Sequence, residues 1–264
     1  MRLQATYPTP EHQIAADAIV DFFVSNYKID AVLLVNSCAR GKATRDSCLD
    51  IIMVARPDPL RSPLSALEAG WTEFEKSNQA IQALYKVGRY SVVHPDFIHG
   101  VFHPRERDEA GGPDDFEVEI GNFLAYSVPL WQGSDYLAQL KGQWLPYYND
   151  DLRQQRLDMV RWHCLNNLHH IPLYIERGLY FQSFDRLYNA YREFLQALFI
   201  SRRIYPIAYN KWIWEQVEEI LGMPELYAQL SHLFEIKQFE SSEIADKAKE
   251  VEQLLEEYAP SLGS

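Results

Sequence analysis

The hydrophobic positions of the chain follow two different patterns, one in each half. Two short apolar runs, at residues 31–35 and at residues 49–55 with Asp50 as the only charge, are typical of strands that are buried on both faces. From residue 136 onward, the apolar positions recur at helical spacing in separate stretches that end near glycine or proline. The pattern therefore predicts an α+β protein, with an α/β domain over residues 1–133 and an all-α helical bundle over residues 134–264.

The same pattern predicts the remaining elements of the first half. Pro10 suits the first turn of a helix that Thr9 caps, and an amphipathic helix is expected at residues 64–84. Strands are predicted at residues 90–94, 97–103 and 116–122, and a charged surface loop at residues 104–115.

The balance of charges limits the ligands that the protein can bind. The chain has 264 residues, of which 37 are acidic and 25 basic, and its formal net charge is −12. Because phosphate backbones are bound by clusters of lysine and arginine, no nucleic-acid partner is expected. A small nucleotide is compatible with this charge, since a divalent metal ion can neutralise its phosphates locally.

Targeting signals and cysteine usage indicate the compartment. No apolar run approaches the roughly 20 residues that a membrane-spanning helix needs, and the first residues lack the pattern of a signal peptide. The three cysteines, Cys38, Cys48 and Cys164, cannot all pair and do not show the spacing of zinc ligands. We therefore expect a cytoplasmic protein with no membrane partner, and the sequence leaves its oligomeric state open.

The segment NSCARGKATRDSCLDIIMV, residues 36–54, connects the two apolar runs. It begins with a serine-containing turn, and such a turn presents backbone N–H groups and a hydroxyl to a terminal phosphate. Asp50 is the only charge in the apolar part of the second run, where a carboxylate could bind a magnesium ion that bridges phosphates. This arrangement favours phosphoryl-type chemistry, which depends mainly on positioning and charge neutralisation.

The segment resembles the signature of the DNA polymerase β-like nucleotidyltransferase superfamily. That signature is a Gly-Ser turn, Ala-Arg-Gly, a spacer, and Ser-Asp-x-Asp in a hydrophobic strand. Members that join such a domain to a helical C-terminal half include the aminoglycoside and lincosamide nucleotidyltransferases. The resemblance implies a mixed-sheet N-terminal domain that transfers a nucleoside monophosphate from a magnesium-bound nucleoside triphosphate, ATP or another. The acceptor would be a hydroxyl of a small molecule, such as an antibiotic, or of a protein.

By position, the resemblance assigns roles to several residues of the segment. Ser37 matches the phosphate-binding serine, although Asn36 stands where glycine is usual. Arg40 and Gly41 match the Arg-Gly pair at the start of the family's helix and would help to bind the nucleotide. Asp50 matches the second metal-binding carboxylate and is expected to be catalytic.

Cys48 departs from the family pattern, because it occupies the position of the first metal-binding carboxylate. Magnesium prefers oxygen ligands, and a thiol is a poor substitute for a carboxylate. Asp46 would replace the missing carboxylate only if the strand began early.

The resemblance also implies a third acidic residue on a later strand. In the predicted strand at residues 116–122, Glu117 and Glu119 share one face, and Glu119 is slightly favoured as the further catalytic and metal-binding carboxylate. The alternative for both residues is the solvated face of an edge strand. Lys211 lies in a segment that resembles a Lys-Trp helix of relatives and is a candidate phosphate contact.

Three functions fit these observations. The first is an active nucleotidyltransferase, in which Asp50 and Glu119 or Glu117 bind magnesium. The second is a catalytically degenerate homologue that binds a nucleotide or a protein, which Cys48 favours. The third is an antitoxin-like interaction protein, and the helical half weighs against it because small relatives obtain that half from a partner.

Overall fold

The computed structural model describes residues 3–104 and 111–261, which divide into two compact units. The first unit comprises Met1–Phe102 and Glu119–Pro146, and the second comprises His103–Val118 and Tyr147–Ser264. This division differs from the predicted boundary near residue 133 in two places. Residues 134–146 group with the first unit, and residues 103–118 group with the second.

The first unit is built on a four-stranded mixed sheet. Its strands are β1 (Ala31–Leu34), β2 (Leu49–Val54), β3 (Val93–Ile98) and β4 (Val128–Gln132), in the spatial order β3-β2-β1-β4. β1 pairs antiparallel with β2 and with β4, whereas β2 and β3 run parallel. The α+β class and the mixed sheet are therefore confirmed, as are the strands that the two apolar runs predicted.

The helices of the first half were mostly anticipated. They are α1 (Pro10–Asn26), α2 (Asn36–Arg40), α3 (Leu64–Ser77), α4 (Gln79–Leu84), α5 (Phe116–Ile120) and α6 (Tyr136–Trp144), with a π-helical turn at Gly121–Ala125. Thr9 precedes α1 as predicted, but its side chain caps no backbone N–H and instead contacts His12 Nδ1 at 2.9 Å. The buried face of α1 includes His12, whereas Ile14 is exposed.

The two faces of the sheet have different partners. Alternate residues of β1 and β2, among them Leu34, Ile51 and Met53, share a buried core with Phe23 of α1 and Trp71 of α3. Successive side chains of a strand point to opposite faces. Asp50 therefore lies on the face of the sheet opposite to this core.

One strand prediction was wrong and one strand was missed, each for an identifiable reason. The predicted strand at residues 116–122 is α5 followed by the π-helical turn, and Phe116 and Ile120, four residues apart, are both buried. Over so few residues, an alternating pattern also satisfies helical spacing. The fourth strand is β4 instead, and it contains Pro129, a residue that argues against a central strand.

The predicted strand pieces at residues 90–94 and 97–103 belong to one strand, β3, which contains Pro95. β3 is an edge strand, where proline is tolerated. The hydrogen bonds from Leu49 N to Val92 O and from Ala55 N to Ile98 O show that even-numbered residues of β3 bond with β2. The nitrogen of Pro95 therefore faces away from β2.

The second unit is helical, as predicted. Its helices are α7 (Asp150–Glu176), α8 (Tyr180–Arg202), α9 (Pro224–His232) and α10 (Glu243–Tyr258), with a π-helical turn at Glu215–Ile220. A buried core that includes Leu157, Phe194, Val217 and Leu255 holds them together. Among the described residues, none of these helices or those of the first unit is both long and apolar enough to span a membrane.

Candidate functional site

The turn after β1 lies directly beside the start of β2. Val35 N donates a hydrogen bond to Asp50 O at 3.1 Å, so the chain enters the turn next to the strand acid. Ser37, two residues further on, is 8% exposed, and Arg40 at the end of α2 is 7% exposed. The sequence therefore brings the predicted phosphate-binding serine and the predicted metal-binding aspartate to the same edge of the sheet.

The conformation of the turn explains the asparagine in place of glycine. Asn36 has φ +56° and Gly41 has φ +72°, both in the left-handed region. Apart from glycine, asparagine and aspartate adopt this region most readily. Asn36 therefore adopts with little strain a conformation that glycine also adopts. Gly41 ends α2 with its N–H bonded to Ser37 O, so Arg40 and Gly41 stand at the end of a helix and not at its start, as the resemblance implied.

The loop between α2 and β2 is held by contacts on both sides. His12, which is fully buried, lies with Nε2 2.9 Å from Ser47 O, and because a carbonyl only accepts, this nitrogen carries the proton. Thr44 N donates to Ser47 Oγ at 2.8 Å, and Cys38 Sγ donates to Cys48 O at 3.7 Å. These contacts fix the backbone of Cys48.

Cys48, Asp50 and His94 form a compact cluster, which we call the CDH cluster. Cys48 Sγ lies 3.2 Å from Asp50 Oδ2, and His94 Nδ1 lies 3.2 Å from Asp50 Oδ1. The three ligand atoms lie within 4.8 Å of one another, and no other such group of three is found in residues 3–104 and 111–261. The side chain of Asp50 is 9% exposed and that of His94 is 62% exposed, so the cluster is reachable from solvent.

The parallel pairing of β2 and β3 explains why His94 joins the cluster. Asp50 is the register partner of His94, and Ile52 is the partner of Asp96, so all four side chains point to the same face. Partial desolvation and then the charge of Asp50 raise the pKa of Asp96, while His94 opposes the shift. Sequence reasoning missed His94 and Asp96 because Pro95 split the strand into two pieces, although apolar residues on either side of Pro95-Asp96 were a usable signal.

Cys38 is close to the cluster but differs from it in character. Burial, followed by electrostatic interactions with Asp50 and Cys48, raises the pKa of the Cys38 thiol to about 12. Cys38 therefore stays protonated at neutral pH and packs in the core, whereas Cys48 is half-buried.

Glu117 lies in surroundings that the sequence did not predict. It is in helix α5 of the second unit and is fully buried. Arg156 Nε donates to Glu117 Oε1 at 2.9 Å and Nη2 donates to Oε2 at 2.6 Å, while Tyr148 OH donates to Oε1 at 2.8 Å. Gln196 Nε2 adds a further bond to Oε2 at 2.8 Å. The predicted strand face for Glu117 is therefore wrong, and its carboxylate is bound by its own unit.

Asp114 belongs to the same buried network. Arg156 Nη1 and Nη2 contact its two carboxylate oxygens at 2.8 and 2.7 Å. The loop predicted at residues 104–115 was expected to be solvated, yet the Asp114 side chain is only 7% exposed. Residues 105–110 of that loop lie outside the described residues.

The other predicted site residues, Glu119 and Lys211, are not members of the CDH cluster. Glu119 lies in helix α5 rather than on a strand. The boundary between the two units falls within α5, and Glu119 is the first residue on the side of the first unit. Lys211 is exposed in the second unit, and the helix expected around it begins later, because Trp212 has φ +60°. The metal and phosphate roles of Glu119 and Lys211 stay predictions.

Asp46 does not replace the missing carboxylate. β2 begins at Leu49, so Asp46 lies in the preceding turn, where it is exposed. Its Oδ1 atom approaches Gly88 so closely that a Cβ on that glycine would lie 1.9 Å away. Asp46 is also not part of the CDH cluster.

The CDH cluster does not fit magnesium. Mg²⁺ requires near-octahedral oxygen ligands, and it is bound by carboxylates, carbonyls, phosphates and water. A thiol, one carboxylate and an imidazole supply a single oxygen ligand group. The magnesium that the resemblance implies is therefore not supported by these donors.

Comparison with solved structures finds a nucleotidyltransferase-like protein from Exiguobacterium sibiricum, which aligns with a TM-score of 0.44. The alignment covers 93% of this chain and 74% of that chain, at 14% sequence identity. A TM-score of this size carries no argument about function. No protein-family model matches the chain, and no curated protein matches it.

Proposed function

We propose that the first unit is a nucleotidyltransferase-like domain that binds a nucleoside triphosphate beside the turn at Ser37. The observation that supports this most is the bond from Val35 N to Asp50 O, which joins the serine turn to the acidic strand start. Asn36 supplies the positive φ of the family's glycine, so the departure from Gly-Ser leaves the turn intact.

In this proposal each residue of the turn has a physical task. The Ser37 hydroxyl donates to a phosphate oxygen, and the Arg40 guanidinium supplies positive charge beside it. Gly41 ends α2 in the left-handed conformation. α2 spans only five residues, so the side chains rather than a helix dipole provide the attraction.

The metal-ligand side chains favour a protein that binds the nucleotide but does not transfer it with magnesium. Cys48 replaces one family carboxylate, and Glu117 is bound to Arg156 instead of lying beside Asp50 on a strand. Of the acids predicted to bind the metal, only Asp50 lies on a strand of the sheet.

Transfer to an acceptor hydroxyl is the second candidate, and Asp96 favours it. Asp50 and Asp96 are carboxylates on one face of neighbouring strands. One of them would accept the hydroxyl proton while the oxygen bonds to the α-phosphorus and pyrophosphate leaves. The acceptor would be a small molecule or a protein.

Equilibrium binding of radiolabelled ATP to the full chain tests nucleotide binding. Ser37→Ala should weaken binding by about 10-fold or more, the effect of losing one hydrogen bond to a charged group. Ser127→Ala is a matched control, since Ser127 is also buried in the first unit but bonds to Leu124 O. If ATP does not bind, or if both variants bind alike, the proposal is wrong.

A pyrophosphate-release assay distinguishes nucleotide binding alone from transfer to an acceptor. The wild type and Cys48→Asp would be incubated with magnesium, ATP and a panel of hydroxyl-bearing acceptors, aminoglycosides included. Release by the variant alone indicates a degenerate homologue that binds but does not transfer. Release by the wild type establishes the second candidate instead.

A further inference from the structure

We propose that Cys48, Asp50 and His94 bind a zinc ion. Asp50 and His94 come from β2 and β3, Cys48 directly precedes β2, and the ligand atoms of the three residues lie within 4.8 Å of one another. The inference does not rest on nucleotide binding, because the metal is bound by side chains of this chain alone.

The distances suit tetrahedral coordination. Zinc binds sulfur at about 2.3 Å and nitrogen or oxygen at about 2.0–2.2 Å, so neighbouring ligands of a tetrahedral site are about 3.3–3.6 Å apart. Cys48 Sγ and His94 Nδ1 each lie 3.2 Å from an oxygen of Asp50. These contacts are to different oxygens, Oδ2 and Oδ1, and the three ligand atoms lie within 4.8 Å of one another. Binding an ion therefore requires side-chain rotations that bring the three ligand atoms to the tetrahedral spacing.

The chemical types of the three ligands also favour zinc. Thiolate, imidazole and carboxylate are the ligands that zinc takes in proteins, whereas magnesium and calcium take oxygen. A thiolate and a carboxylate together balance the two positive charges of Zn²⁺. Three protein ligands also leave the fourth position open, as in zinc sites that bind water or substrate.

The backbone around the ligands is fixed before any ion arrives. The β2–β3 register holds Asp50 opposite His94. His12 Nε2 donates to Ser47 O, and Cys38 Sγ donates to Cys48 O, so the carbonyl groups before and after the Cys48 Cα are both bonded. Such supporting contacts reduce the ordering cost of binding. The exposed imidazole of His94 gives the ion a path from solvent.

The competing explanation is a cluster joined by hydrogen bonds alone, since 3.2 Å also suits a thiol or imidazole donating to Asp50. The two explanations differ in what happens when metal is added. A hydrogen-bonded cluster has no need to lose the Cys48 proton, whereas a metal site must bind the thiolate.

Metal binding would be measured on the full chain without an affinity tag, with zinc alone and with cobalt alone as probes. We expect one equivalent of Zn²⁺ to bind in competition with a chromophoric chelator. Co²⁺ should give a thiolate-to-cobalt charge-transfer band in the near ultraviolet and the strong visible bands of tetrahedral coordination. Millimolar Mg²⁺ should not displace either ion.

Variants assign the binding to the CDH cluster. Cys48→Ala should remove the charge-transfer band and weaken zinc binding about 100-fold or more, because even outer partners of metal ligands matter by 10- to 100-fold. Cys38→Ala is the matched control, as this neighbouring thiol is not in the cluster, and it should keep the band. His94→Gln should weaken zinc binding while leaving the thiolate band in any residual cobalt complex.

Cys48→Asp provides a second, independent variant in case Cys48→Ala does not fold. The substitution replaces the sulfur ligand with carboxylate oxygens, so zinc affinity should fall and magnesium affinity should rise. The proposal is overturned if the wild type binds no zinc, if cobalt shows no thiolate band, or if Cys48→Ala and Cys38→Ala bind zinc equally. A protein that binds zinc but not ATP would overturn the proposed function and leave this inference standing.

Discussion

At the scale of single residues, Asn36 shows how a substitution can preserve a motif. Its φ of +56° costs little for asparagine but strains a β-branched side chain. Asn36→Val should therefore lower the free energy of unfolding by about 1–3 kcal/mol, the usual cost of such strain. Urea-induced unfolding measures the change.

Asn166→Val is the matched control, because Asn166 lies inside α7 with ordinary helical geometry. Asparagine and valine have similar helix propensities, so the control should change stability by less than about 0.5 kcal/mol. Equal effects of the two substitutions would show that the backbone at Asn36 is not the cause.

At the scale of elements, Asp30 ties three strand ends together. It precedes β1, is fully buried, and accepts bonds from Arg56 Nε at 3.0 Å, Arg61 Nη2 at 2.9 Å and Ser134 Oγ at 2.5 Å. Asp30→Asn should destabilise the protein by about 1.5–3 kcal/mol, the value of hydrogen bonds to a charged group. Asp135→Asn is the control: Asp135 approaches the same Arg56 but is 75% exposed, so its loss should cost under about 1 kcal/mol.

The same aspartate predicts a dependence on pH. Burial alone would raise the pKa of Asp30, but the hydrogen bonds from Arg56 and Ser134 and the charge of Arg61 outweigh it and lower the pKa. The stabilisation is therefore complete above the unfolded-state pKa, about 3.9, and is lost as the pH falls through the folded-state value. Stability measured from pH 6 downward should fall less steeply in Asp30→Asn than in the wild type. Parallel curves would contradict this assignment.

Arg156 has the corresponding role in the second unit, where it joins α7 to the segment that contains Asp114 and Glu117. Arg156→Lys should destabilise the protein by about 3–5 kcal/mol, because lysine cannot bond to both carboxylates as the planar guanidinium does. The comparison is Arg203→Lys, whose partner Asp150 is 72% exposed, with an expected change under about 1 kcal/mol. Chemical denaturation distinguishes the two. Similar small losses in both variants would show that the buried network adds little.

A helix or strand can be predicted from the sequence when the pattern that identifies it lies within that element. β1 and β2 were predicted because continuous apolar runs need no knowledge of partners. β3 was predicted as two pieces because Pro95 interrupts it, and β4, which contains Pro129, was missed, since proline is acceptable in a strand only once the edge position is known. α5 was misassigned because five residues are too few to separate a period of two from a period of 3.6.

The candidate site was predictable to the extent that it lies in one segment. Ser37, Cys48 and Asp50 are brought together by a turn and the strand that follows it, and their spacing already implied this. His94 is 44 residues from Asp50, and only the register of β3 on β2 places it there. Glu117 was misread for the same reason, because its partner Arg156 is 39 residues away.

At the scale of the whole molecule, net charge should govern the choice of partner. With a formal charge of −12 and a sequence pI near 5.1, the chain repels long polyanions. A labelled single-stranded DNA of about 30 nucleotides should show no binding in fluorescence anisotropy at physiological salt. Salt-sensitive DNA binding would contradict the expectation that the partner is a small nucleotide.

Pro95 and Pro129, which made β3 and β4 hard to predict, also affect the borders of the sheet. Each border strand contains one, and the Pro95 nitrogen faces outward from β2. The row of N–H donors on the outer side of β3 is therefore interrupted, so another chain cannot readily add a strand there, and edge-to-edge aggregation of the kind that threatens open sheets is discouraged. Pro95, which divided the strand prediction, thus also discourages association between molecules through this border of the sheet.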